Sequence, residues 1–171
     1  MHNCLVGSEM CIRDSNTVYA AGANGTILGL GNEACTIGGL LTVAQANTLA
    51  AQTTGVITAA ISDGDMATLA GITETGNAYT MTVTDSSVAA SALNTLDSKT
   101  TVTVIAIAVN TITGTFADIN TVYTAGAAGT IHGLGNEAVT ISDANLSVSS
   151  LNAIDAFTTG LVNVAAVTTI T

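Results

Sequence analysis

The apolar positions of this chain switch between two spacings. Val102, Val104, Ile105, Ile107 and Val109 crowd together and are β-branched, which predicts a strand buried on both faces. Asn110 to Thr115 is polar, holds Gly114 and reads as a turn. In the following TFADINTVYTAG, Phe116, Ile119, Val122 and Tyr123 fall at i, i+3, i+6 and i+7, the helical period. Thr115 or Thr113 is placed to cap that helix and Gly126 to end it. GTIHGLGNE is a glycine-punctuated loop, and AVTIS a short strand that turns Val139 and Ile141 inward. A second helix is predicted to open at Asp143 and run over Leu146 to Phe157. There Val148, Leu151 and Ile154 recur every third residue, with Ser147 or Ser149 as cap. A strand over LVNVAAVTTI follows. Residues 55–85 hold a shortened version: a short helix with Met66, Leu69 and Ala70, then a strand with Tyr79, Met81 and Val83 alternating.

This pattern is written more than once. NTVYAAGANGTILGLGNEACTIGG at 16–39 and NTVYTAGAAGTIHGLGNEAVTISD at 120–143 agree at 18 of 24 positions. TVTDSSVAASALNTLDSKTT from Thr82 aligns with TISDANLSVSSLNAIDAFTT from Thr140. Repetition at this scale marks a stacked array, in which each unit buries its apolar face against its neighbours. Strands alternating with short helices call for parallel pairing through crossovers. The expected fold is therefore an α/β repeat solenoid with a parallel sheet and short helices over 16–171. An all-β solenoid is the alternative, favoured by Thr and Val content and disfavoured by the three-residue spacing at 88–96 and 146–154. Neither Asn16 nor Thr171 meets a polar capping unit. The array is therefore expected to be truncated at both ends and to self-associate through them.

Residues 4–15, CLVGSEMCIRDS, match nothing else in the chain and resemble the translation of a sequencing-library adapter, so 1–15 is set apart as non-native. Without Glu9, Asp14 and Arg13, ten of the twelve acidic residues face Lys99 alone, a formal charge of about −9. Nucleic acid and anionic membrane surfaces are unsuited partners for such a chain. The longest strongly apolar run, Val102–Val109, is too short to span a bilayer, so no membrane insertion is expected. Cys35 stands where its repeat partner is Val139 and is expected to be a small buried hydrophobe.

Candidate chemistry is sparse. GLGNEA at Gly29–Ala34 and Gly133–Ala138 fits a dinucleotide fingerprint, but a helix precedes it and a strand follows, the reverse of what pyrophosphate binding needs. Glu33 and Glu137 hold equivalent positions, which predicts one environment copied rather than the two distinct ones that acid–base catalysis uses. Asp63, Asp65, Asp85 and Asp143 sit at turns between strand and helix. Carboxylates there are calcium ligands by type and helix caps by position. His132 is alone in its loop, with no metal partner at suitable spacing. Thr80, Thr82 and Thr84, and Thr111, Thr113 and Thr115, alternate as ice-binding solenoids do, or as solvated strand faces do.

VAASALNTLDSKTT, ITGTFADINTVYTAG and GLGNEAVTISD resemble repeats of very large secreted or cell-surface proteins of aquatic bacteria, some of which carry calcium-binding adhesin or RTX toxin-type modules. The resemblance implies a non-enzymatic structural or adhesive segment, extracellular or at the cell surface, whose partners are neighbouring repeats. It requires no cofactor. A calcium-stabilised binding module is the alternative, and an ice-binding or carbohydrate-active solenoid a remote one.

Overall fold

The computed structural model describes residues 2–4 and 8–171, with side chains from Arg13 onward. The described residues fall into two compact units. One runs up to Met81 and includes Lys99–Val102; the other holds Thr82–Ser98 and Thr103–Thr171.

The first unit contains β1 (His2–Cys4), α1 (Ser8–Ala23), β2 (Cys35–Leu41), α2 (Val43–Ala50), β3 (Ile57–Ile61), α3 (Met66–Leu69) and β4 (Ala78–Thr80). Its strands form one sheet in the order β1-β2-β3-β4. Cys35 pairs with Ile57 and Leu41 with Ile61; between them an irregularity at Thr36/Leu40 spans Gly38 and Gly39. Leu41, Leu49, Ile57, Leu69, Ile72, Tyr79 and Met81 form the buried interior. Burying each such side chain contributes roughly 1.5–3 kcal/mol.

The second unit contains β5 (Ser87–Ala89), α4 (Ala90–Asp97), β6 (Val104–Ile105), β7 (Thr111–Gly114), α5 (Phe116–Ala128), β8 (Ile131–His132), β9 (Ala138–Ile141), β10 (Asn145–Leu146), α6 (Val148–Phe157), β11 (Val162–Asn163) and β12 (Thr169–Ile170). Its strands form a sheet in the order β11-β9-β7-β5 and two pairs, β6-β8 and β10-β12. Every strand pair among the described residues is parallel, as crossover through helices dictates. The fold is thus mixed α/β with parallel sheets, and α4 and α6 are helices where an all-β reading would have strands.

Several boundaries differ from expectation. The Val102–Val109 strand shrinks to β6; the chain turns beyond it, leaving Ile107 65% exposed while Val104 and Ala106 are buried. Asn110–Thr115 is no turn: Thr111–Gly114 is β7, paired on one side with β5 and on the other with β9. Helix α5 passes through Gly126 and stops at Gly129, whose φ of 82° is the left-handed cap glycine supplies. Gly126 is used for space instead, since a Cβ there would meet Leu134 Cδ1 at 3.1 Å. Leu146 lies in β10, and α6 starts only at Val148 with Ser147 as cap. LVNVAAVTTI divides into β11 and β12. Thr115 caps α5, and Tyr79, Met81 and Val83 turn inward as the alternation predicts.

Candidate functional site

The two GLGNE turns are built alike. Gly31 and Gly135, at φ 119° and 126°, take backbone conformations that L side chains rarely adopt. Each turn is closed by its own glutamate. Glu33 Oε2 accepts from Gly31 N–H at 2.8 Å and Asn32 N–H at 3.2 Å; Glu137 Oε2 accepts from Gly135 N–H at 2.9 Å. The Gly31 N–H foremost holds the Glu33 carboxyl below the usual carboxylate range.

The copies then diverge, contrary to the expectation of one shared environment. Glu137 is fully buried and also accepts from the Tyr123 hydroxyl at 3.0 Å. Glu33 is only half-buried. The aromatic surroundings differ as well. Phe157 stacks on Tyr123 with ring centroids 5.3 Å apart and an interplanar angle of 15°. The residue before the matching Thr-Thr-Gly in the first unit is Gln52, which offers no ring to stack. Burial, and next the Glu137 charge, push the Tyr123 hydroxyl well above its ordinary value.

Each copy borders an open cleft. In the second unit it has a volume of about 580 Å³ and is lined by Tyr123, Gly126, Leu134, Gly135 and Phe157; in the first, about 440 Å³ and lined by Tyr19, Gly22, Leu30, Gly31 and Gln52. Each glycine turn leads into a strand, β2 or β9, so no helix N-terminus follows it to face a phosphate.

A second set of contacts recurs after the helices. Thr53 Oγ1 donates to Glu33 O at 2.8 Å, and Thr158 Oγ1 to Glu137 O at 2.6 Å. The next residue follows suit: Thr54 N–H reaches Gly31 O at 2.8 Å and Thr159 N–H reaches Gly135 O at 2.9 Å. Thr100 and Thr101 act similarly, with Thr100 Oγ1 donating to Tyr79 O at 2.8 Å and Thr101 N–H to Asn77 O at 2.9 Å. A Cβ on Gly55 or Gly160 would lie 2.2 Å from the same Glu33 or Glu137 carbonyl oxygen, so the backbones approach to a distance only glycine allows. These threonine pairs were not singled out in the sequence. Their signal is a Thr-Thr dipeptide that starts four residues before each of Ile57, Val104 and Val162.

Asparagines on the helices make a third set. Asn47 Nδ2 donates to Gly71 O at 2.7 Å while its Oδ1 accepts from Thr73 N–H at 3.1 Å; Asn94 Nδ2 donates to Asp118 O at 3.0 Å. Both are the fifth residue of their helices.

The four candidate calcium ligands are not brought together. Asp63 Oδ2 accepts from Val43 N–H at 2.7 Å, and Asp143 Oδ2 from Phe116 N–H. Both cap a helix 20 or more residues earlier, α2 or α5, rather than one of their own. Asp65 caps α3 by accepting from Thr68 N–H at 2.9 Å, and this bond is the main cause holding its carboxyl below the usual range. Asp85 lies in the segment leading to β5, half-exposed. Among the described residues no three His, Cys, Asp or Glu side chains gather around one ion position. His132 is exposed on β8. Cys35 is buried and free, and burial raises its thiol. Thr80, Thr82 and Thr84 are exposed, while Thr111, Thr113 and Thr115 are half-buried.

No protein-family model, curated protein or solved structure matches this chain. Among the described residues no helix is long and apolar enough to cross a membrane.

Proposed function

We propose that this chain is a segment of a non-enzymatic structural array: an α/β solenoid whose strand–helix–strand rungs stack by parallel pairing, carried by a large extracellular or cell-surface protein. The observation that carries the reading is the threonine strap. Thr53, Thr100 and Thr158 each tie the chain after a helix to backbone carbonyls some twenty residues earlier. Contacts copied between equivalent positions suit stacking, in which each rung serves as the template for the next. The carboxylates of Glu33, Asp63, Asp65 and Asp143 take up backbone N–H groups, which suits a structural role for them. The acidic, lysine-poor composition and the resemblance to surface repeats favour an exterior location.

Thermal unfolding followed by circular dichroism tests the reading, in millimolar calcium and in chelator. The expected result is one midpoint in both buffers, lowered by Thr53→Val and by Thr158→Val. A midpoint raised by calcium would make the chain a calcium-stabilised module, because a ligand specific for the folded state must stabilise it. Threonine variants that melt like the parent would remove the strap and the reading with it.

A further inference from the structure

We propose that the outer face of α6, β11 and β12 is a docking surface for one more rung of the pattern that Gly114–Ile141 carries; this rests on the array reading. The sequence alignment makes α6 the twin of α4, β11 of β6 and β12 of β7. Helix α4 reaches α5 through Asn94, β6 pairs with β8, and β7 pairs with β9. Among the described residues the twins have no such neighbours: β11 pairs only with β9, and β12 only with β10.

The side chains tell the same story. Val148 is 54% exposed, whereas Val43 and Ala90 at the same helical position are 6% and 0% exposed. Ile170 is 56% exposed, and its twin Ile112 is fully buried. Asn152 is exposed on α6, where Asn47 and Asn94 are hydrogen-bonded to neighbouring backbone. Apolar and amide groups are thus displayed in the arrangement that elsewhere in the chain is covered.

The occupant is set by what covers the twins. Residues 114–141 supply α5, β8 and β9 in that order, so a passage of this pattern offers a helix to α6, a strand to β11 and a strand to β12. Asn152 would donate to the carbonyl oxygen at the position of Asp118, as Asn94 does.

The test is the full chain with Gly114–Ser142 appended a second time after Thr171, compared with the parent chain and with a scrambled extension. Docking is expected to raise the midpoint by several degrees and to slow amide exchange in α6 at least tenfold. Asn152→Ala should remove part of that gain in the extended chain and change nothing in the parent. An extension that leaves α6 exchange unaltered would overturn the proposal, even where Thr53→Val and Thr158→Val still support the array. Concentration-dependent association of the parent chain that protects α6 would overturn the choice of occupant in favour of a second copy.

Discussion

The hydroxyl of Thr158 donates to the carbonyl oxygen of Glu137 at 2.6 Å and accepts from the N–H of Gly160 at 2.9 Å. One buried oxygen thus satisfies an acceptor on an earlier strand entry and a donor on its own. Thr158→Val keeps the shape and leaves both groups unpaired. Orphaned buried groups cost about 1–3 kcal/mol. For a chain of this size each kcal/mol moves the midpoint by roughly 2–4 °C. Thermal unfolding of Thr158→Val should show a fall of roughly 2–12 °C; the exposed Thr159, changed to Val, should show less.

Two tyrosine-to-phenylalanine changes should behave differently. Tyr123→Phe takes the hydroxyl donor from buried Glu137 and should destabilise by about 1–3 kcal/mol. Among the described residues the buried Tyr79 hydroxyl has no hydrogen-bond partner, so Tyr79→Phe should leave the midpoint unchanged or raise it. Denaturant midpoints of the two variants, measured side by side, check this; a loss of stability in Tyr79→Phe would contradict it.

Glycine positions separate steric room from backbone strain. Gly55→Ala and Gly160→Ala force a Cβ to within 2.2 Å of a carbonyl oxygen, and the strand must move. Overpacking of this kind typically costs about 1–3 kcal/mol or more. Gly29 has open space at the Cβ position but a φ of 85°, so Gly29→Ala meets only left-handed strain, about 1–2 kcal/mol. Equilibrium unfolding should rank Gly55→Ala and Gly160→Ala as the more damaging.

Stability should fall in alkali. Burial, followed by the nearby Glu74 charge, pushes the Tyr79 hydroxyl from 10.0 up to about 12, and burial raises Tyr19 and Tyr123 as well. A folded-state value above the unfolded one means the unfolded chain loses the proton first. The stabilisation is complete below pH 10 and is lost as pH climbs toward 12. Phenolate absorbance should appear together with the loss of helical dichroism. Phenolate forming in a still-folded protein would rule this out.

The local elements were largely legible from residue spacing. Ile119, Val122 and Tyr123 recur at the helical period, and all three are buried on α5. Thr115 and Ser147 cap the helices that follow them, because an N-cap needs only a hydroxyl and an N–H three residues on. Val102–Val109 was misread because a run of β-branched residues carries no mark of where the chain turns. Parallel pairing stops after Ile105, and Ile107 faces solvent. Asp63 and Asp143 were recognisable as corner residues, but each meets a helix N-terminus far back in the sequence, so local reading assigned the wrong helix.

GLGNEA shows where sequence stops and tertiary structure begins. The same six residues produce the same glycine turn and the same glutamate closure twice, because those bonds lie within three residues of one another. Whether that glutamate is buried is settled elsewhere. In one copy Phe157 stacks on Tyr123, whose hydroxyl donates to the buried Glu137; in the other Gln52 stands at the place of Phe157 and Glu33 is half-buried. Backbone hydrogen bonding at short range is written in the local residues. Burial depends on which distant side chain the fold delivers, and only the tertiary structure decides that.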